Sequence, residues 1–437
     1  ESFRKVADAC HSYGARVSIQ LQHAGPEGNS KLTGYPLKAA SRMAAAQGRE
    51  VPEAVSNEEI YRIIECYGDA ARRAQQAGID MVEVHCAHGY LVSTFISQRT
   101  NNRTDEFGGC FENRMRLPRL IIENIRKKTG GNLPILCRIN ASDEVEGGQS
   151  VQDAAAVAAY LEQECGVDAL HVTRALHLHD EFMWAPGLIH GGFNGDLVTE
   201  IKRAVSVPVI AVGRFTEPQY AELLVKQGRA DLIAFGRQSI ADPDLPNKAL
   251  NGQLETLAPC IGCLLGCVPN MFAGKPVTCA VNPCAGREAE LTPADKKKKV
   301  VVVGGGMVGC EAAEYLAERG HQVGIIEMKD VIAGDVTAES RKYIIKNFEE
   351  NHVQLCPGAK VGHFYTDGVD YTLADGTEGS LRGFDNVVLA MGSRANGALK
   401  ETAEKVAGQV LVIGEAAKAP GNAVVAVNDA FEAALQI

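Results

Sequence analysis

Four cysteines carry the clearest chemistry in this chain. Cys260, Cys263, Cys267 and Cys279 read Cys-x2-Cys-x3-Cys-x11-Cys within CIGCLLGCVPNMFAGKPVTC. Short loops bring three sulfurs to one side, and the longer return brings the fourth. Four thiolates so placed can hold one iron–sulfur cluster. A structural zinc site usually takes two separated Cys-x2-Cys knuckles, so this spacing fits zinc poorly. A disulfide framework fits less well, because the chain has 13 cysteines, an odd number, and no secretory signal. Cys284 reads as a spectator. The other eight cysteines lie in apolar or helical contexts and read as buried thiols.

A second motif lies downstream. VVVVGGGMVGCEAAEYLAERGHQVGIIEM runs strand, glycine turn, helix, strand from residue 300. Gly304, Gly306 and Gly309 form Gly-x-Gly-x-x-Gly, which lets a backbone approach a pyrophosphate at a helix N-terminus. Glu327 ends the next strand, where it can accept from a ribose diol. That favours NAD or FAD over a 2′-phosphate. The lysine run 296–299 reads as a solvated lead-in to the strand.

The elements that must position these motifs follow from hydrophobic pattern. Up to about residue 250 the chain alternates helix with short apolar strand. Strands are expected at 16–22, 81–85, 134–139, 169–173, 208–213 and 232–236, with helices such as 61–78 and 154–166 between them. Buried parallel strands joined by crossover helices give this pattern. Six in a row suit a TIM (β/α)8-type barrel lacking two upstream strands. The first residue is Glu1, and residues 1–14 already form an amphipathic helix with Phe3, Val6, Ala7 and Cys10 on one face. The start therefore reads as truncated. The expected organisation is a barrel over 1–250, an iron–sulfur segment and linker over 251–295, and a Rossmann-like domain over 296–437. With 437 residues and a formal charge of −10, the chain is long enough for several cores and ill suited to nucleic acid. No apolar run reaches a membrane span, so the expected setting is the reducing cytoplasm.

The stretch HCAHGYLVSTFISQRTNNRTDEFGG (85–109) resembles the old yellow enzyme signature. Together with the cysteine motif and the nucleotide domain, it is similar to the iron–sulfur branch of that family: 2,4-dienoyl-CoA reductase, 2-enoate reductase, trimethylamine dehydrogenase and bile-acid enone reductases. The resemblance implies FMN at the barrel mouth, a [4Fe-4S] cluster close by and NAD(P)H as electron source. Gln20 matches the glutamine that hydrogen-bonds the flavin pyrimidine ring. Arg138 matches the arginine beside flavin N1 and O2, where its fixed charge favours the anionic reduced form. Gly213, Arg214, Gly236 and Arg237 match the phosphate-binding loops. His85 and His88 match the pair that holds a substrate carbonyl oxygen, and Tyr90 the general acid that protonates the α-carbon. A strand-end cluster that merely braces the following loop is the plainer reading. Arg103, Asp105 and Gly108 look structural.

The chain departs from the family pattern in two places. The two upstream strands are absent. Only the second of two glycine fingerprints is present, although VLVIGEAAKAPGNAVVAVNDAFEAA resembles the closing half of an FAD domain, with Gly414 and Glu415 in the ribityl position. Glu327 favours NADH, and FAD binding is left open. The function implied is reduction of an activated C=C bond in a small unsaturated carbonyl compound. An amine dehydrogenase, with Trp184 lining the pocket, is the alternative within the family; a truncated, electron-carrying remnant is the alternative outside it. A homo-oligomer is compatible with either.

Overall fold

The computed structural model describes residues 1–282, 284–288, 297–336, 338–392, 400–405 and 417. Gly414 and Glu415 lie outside the described residues. The chain divides into two units, Glu1–Leu291 and Thr292–Ile437.

The first unit is built on six parallel strands: β1 (Ser18–Leu21), β2 (Met81–Cys86), β3 (Ile135–Asn140), β4 (Ala169–Thr173), β5 (Val209–Ala211) and β6 (Leu232–Ile233). They pair in chain order from β1 to β6. Each crossover carries at least one helix, as parallel pairing requires. The strands match the sequence expectation; β1, β5 and β6 are shorter by a few residues, and β2, β3 and β4 agree to within one residue. Helix α1 (Ser2–Ser12) forms as expected, but its apolar face is largely bare. Only Ala7 is buried, while Phe3 is 55% and Val6 52% exposed. Helix α2 (Asn57–Gln76) begins at Ser56, whose hydroxyl accepts from the Glu59 amide at 3.2 Å. Its residues Ile60, Ile63, Ile64, Tyr67, Ala71 and Ala74 recur at three- and four-residue steps and are buried.

Alternation along the strands sorts the core from the site. Val82, Val84, Ile135, Cys137, Ile139, Leu170, Val172, Val209 and Ala211 belong to one apolar cluster with the surrounding helices. The intervening residues share the other face of the sheet. There the register sets Gln20 opposite Glu83, His85 opposite Arg138, Arg138 opposite His171, and Asn140 opposite Thr173. The helix-facing side is therefore dry, and the inner side is polar.

The second unit has a parallel sheet of β7 (Lys299–Val303), β8 (Gln322–Ile326), β9 (Gln354–Cys356) and β13 (Asn386–Leu389). Its order is β9, β8, β7, β13. An antiparallel sheet of β10 (Ala359–Tyr365), β11 (Gly368–Leu373) and β12 (Glu378–Arg382) accompanies it. The glycine turn leads from β7 into a helix over Met307–Glu318. Among the described residues, no helix is long and apolar enough to cross a membrane.

Candidate active site

A tight turn after β2 aims the first group of residues. His88 (φ 62°) and Gly89 (φ 79°) both take left-handed backbone. This folds Tyr90 back over the strand end, so the ring centroids of His85 lie 5.1 Å from His88 and 4.8 Å from Tyr90. The turn is held by Asn140, whose Oδ1 accepts from the His88 amide at 3.3 Å. Keeping a non-glycine residue in this conformation costs of order 1–3 kcal/mol, which surrounding contacts must offset.

Hydrogen bonds fix the protonation of these groups. The Ala87 amide donates to His85 Nδ1 at 3.2 Å. A nitrogen that accepts carries no proton, so the neutral ring bears its hydrogen on Nε2. Burial, with Arg138 nearby, pushes the His85 pKa down to about 3. His88 is also held well below the usual histidine value by burial, again with Arg138 contributing. Both rings are neutral at pH 7. The Tyr90 phenol, protonated at neutral pH in any case, is shifted further upward, first by burial.

Thr173 links this cluster to Arg138. Its hydroxyl lies 3.0 Å from His88 Nε2 and accepts from Arg138 Nη2 at 3.4 Å. Arg138 and Thr173 also line a cavity of about 320 Å³. That volume lies in the range of small-molecule and cofactor sites. Gly213, Arg214, Gly236 and Arg237 line it as well, with Phe182 and Trp184 on another wall. Gln20, His85, His88 and Tyr90 are not part of its wall; His88 reaches it only through Thr173. Arg138 Nε, Arg214 Nε and Arg237 Nη1 are buried without a hydrogen-bond partner among the described residues. Three half-buried arginines with buried, unfilled donors around one cavity fit an anionic, phosphate-bearing cofactor.

The cysteine segment forms the far wall. Cys260 and Cys267 line the large cavity, and all four cysteines line a smaller adjacent one. The segment is clamped at both ends. Gln238 Oε1 accepts from the Cys260 amide at 2.8 Å, and Asn282 Nδ2 donates to the Ile240 carbonyl at 2.9 Å. Thr278 donates its amide to Gly266 at 3.1 Å, which brings the return strand beside Cys267. Among the described residues, no three His, Cys, Asp or Glu side chains converge on a point that would hold one metal ion. What the segment does is gather all four cysteines around one small cavity.

The nucleotide turn belongs to the second unit. A Cβ on Gly304 would lie 2.2 Å from the Ala390 carbonyl, and one on Gly309 would lie 1.8 Å from the Gly304 carbonyl. Glycine is required at both. Glu327 is buried, and its carboxylate accepts from the Gly305 amide at 2.6 Å and the Lys329 amide at 2.8 Å. Asp335 accepts from the Met307 amide at 2.9 Å and 3.0 Å. Glycines, helix start and acid fit a dinucleotide.

Arg103 and Asp105 are paired at 2.5 Å, and Arg103 also donates to the Ala40 and Val55 carbonyls. These contacts fasten the loop after the site.

A parallel sheet with a polar inner face, arginine-lined loops at its strand ends and a separate glycine-turn domain define a flavin-type α/β oxidoreductase. The chain belongs to the NADH:flavin oxidoreductase / NADH oxidase family, whose model matches residues 1–255. Residues 266–428 match the pyridine nucleotide-disulphide oxidoreductase family. An NADH oxidase of Thermoanaerobacter brockii is 41% identical over 343 residues, covering 77% of this chain and 52% of its own length. A cinnamate reductase of Clostridium sporogenes is 31% identical over 431 residues, covering 92% of this chain and 63% of its own length. The chain thus spans about half to five-eighths of these relatives. A solved 2-naphthoyl-CoA reductase shares the fold, with a TM-score of 0.65 at 24% identity over 100% of this chain and 87% of that one.

Proposed function

We propose that the chain is a flavin- and iron–sulfur-dependent oxidoreductase that takes electrons from NAD(P)H and reduces an activated C=C bond of an enoate, enoyl-CoA or enone. The observation that carries this reading is the neutral His85/His88/Tyr90 set, tied through Thr173 to Arg138 at a cavity whose far wall holds Cys260 and Cys267. The cinnamate reductase relative supports a conjugated carbonyl substrate.

When bound, FMN supplies hydride chemistry and a cluster supplies single-electron transfer. The chain's own residues do the rest. Arg214 and Arg237 would hold the FMN phosphate, and Arg138 and Gln20 its ring. Cys260, Cys263, Cys267 and Cys279 would hold the cluster. His85 Nε2–H donates to the substrate carbonyl oxygen and stabilises the charge that gathers there. Tyr90 holds the proton that the α-carbon receives. Gly304, Gly306, Gly309 and Glu327 would receive NADH. An amine substrate would call for aromatic or acidic groups around a cation; Phe182 and Trp184 line the cavity, while the Glu27 carboxylate near Tyr90 is paired with Arg49 at 3.0 Å.

The test is cofactor content of the chain purified without oxygen, followed by an NADH-dependent screen of cinnamate-type enoates. About four iron with one FMN per chain and enoate turnover support the proposal. Iron without FMN makes the chain an electron-carrying remnant.

A further inference from the structure

Beside Gln20 lies a buried charged group that neither the substrate cluster nor the cysteines use. Glu83 on β2 is 8% exposed. One carboxylate oxygen accepts from Gln20 Nε2 at 2.6 Å, and the other lies 2.8 Å from His171 Nδ1. An ionised carboxylate can only accept. Gln20 must therefore turn its NH2 toward Glu83, and His171 must carry its proton on Nδ1. The Gln20 carbonyl oxygen is left free to accept, as the imide N–H of a flavin pyrimidine ring requires.

The same layer holds the charge of Arg138. Arg138 is registered opposite His85 on one side and His171 on the other. Glu83 and Arg138 feel each other through the barrel interior. A desolvated arginine needs a compensating anion, and among the described residues the Arg138 side chain hydrogen-bonds to Thr173, not to a carboxylate. Burial works to raise the Glu83 pKa, but His171, Gln20 and Arg138 outweigh it and keep the group ionised.

We propose that Glu83, held by His171, is a positioning residue for the flavin: it locks the Gln20 carboxamide with its oxygen toward the ring and offsets the positive charge of Arg138, holding the flavin potential down. This rests on the flavin reading of the cavity. Glu83→Gln keeps the size, removes the charge and frees the Gln20 amide to rotate.

The experiment uses the full 437-residue chain, stripped of flavin and titrated with FMN. Glu83→Gln should bind FMN about tenfold more weakly, the loss of roughly one hydrogen bond's worth of orientation. Its affinity for reduced over oxidised FMN should rise about tenfold, a potential shift of about +30 mV for a two-electron couple. In a Gln20→Ala background the affinity effect should vanish while the potential shift remains. If Glu83→Gln does not fold, Glu83→Asp serves: it keeps the charge but shortens the reach, so FMN should bind more weakly at an unchanged potential. Wild-type uptake of FMN with unaltered affinity and potential in these variants overturns the proposal alone. A wild-type chain that takes up no FMN overturns the flavin reading and this inference with it.

Discussion

Arg237 and Cys260 each line both the large cavity and the smaller cysteine cavity. The two spaces are therefore separated by a single layer of side chains. Burial holds the Arg237 pKa below its ordinary value, and the Cys260 and Cys267 sulfurs act to raise it. A guanidinium in this wall can face a phosphate on one side and thiolates on the other. A cluster held by the cysteines would lie one side-chain layer from a flavin in the large cavity.

Cys263 lines only the cysteine cavity. Cys263→Ser should therefore remove iron and spare FMN. Iron and sulfide assays should fall from about four per chain to near zero, with FMN content unchanged. Reduction of FMN by NADH should stop, while reduction by dithionite persists. Retained iron in this variant would remove Cys263 from the ligand set.

Tyr90 carries its phenolic proton at neutral pH as any phenol does, and burial raises its pKa further. Tyr90→Phe preserves the ring that packs 4.8 Å from His85 and deletes only the acid. Reoxidation of the reduced enzyme by an enoate should slow by about 10²-fold or more, the usual range for a general acid. Reduction of the flavin by NADH should be unaffected. Stopped-flow measurement of the two half-reactions separates these outcomes, and equal slowing of both would point to a structural role.

The histidines of the site, with His177 whose ring centroid lies 5.1 Å from that of Tyr90, also set an acid limit on stability. His85 is pushed down to about 3 and His177 to about 4, each first by burial. Above pH 6.5 both are neutral in folded and unfolded chains alike, so they contribute no pH dependence. As pH falls below 6.5 the unfolded chain takes up protons that the folded chain refuses. Stability then declines by up to about 1.4 kcal/mol per pH unit for each such group. Urea unfolding of the first unit between pH 7 and pH 4.5 should show this decline. His177→Gln, which cannot titrate, should flatten it; an unchanged slope would mean His177 is not the group responsible.

Much of this site was legible in the sequence because period and spacing encode it. The strands of the first unit follow from short apolar runs, and the motif His-x-x-His-x-Tyr follows directly from residues 85–90. Glu83 and His171 were missed, although each sits two residues before a residue of the site, His85 and Thr173. A strict two-residue alternation along VEVH and LHVT would have placed both on the inner face. The same alternation puts Thr173 on that face, but its contact with His88 at 3.0 Å spans 85 residues and comes only from the fold. The bare face of α1 was equally hidden: amphipathicity marks a face that can be buried, not what covers it.

Asp335 occupies the position that a dinucleotide needs. Its carboxylate accepts from the Met307 amide at the start of the helix that follows the glycine turn. That amide is among the donors a pyrophosphate would use. The Ala333 amide also donates to the Gly305 carbonyl at 2.7 Å, so the Asp335 segment is tied to the turn itself. An incoming diphosphate must displace an anion and overcome its repulsion. Asp335→Ala should therefore tighten NADH binding about tenfold, equivalent to roughly 1.4 kcal/mol. Asp335→Asn, which can still accept from Met307 but carries no charge, should fall between Ala and wild type. Fluorescence titration with NADH reads the order directly. Weaker binding in Asp335→Ala would show instead that the carboxylate shapes the turn for its ligand.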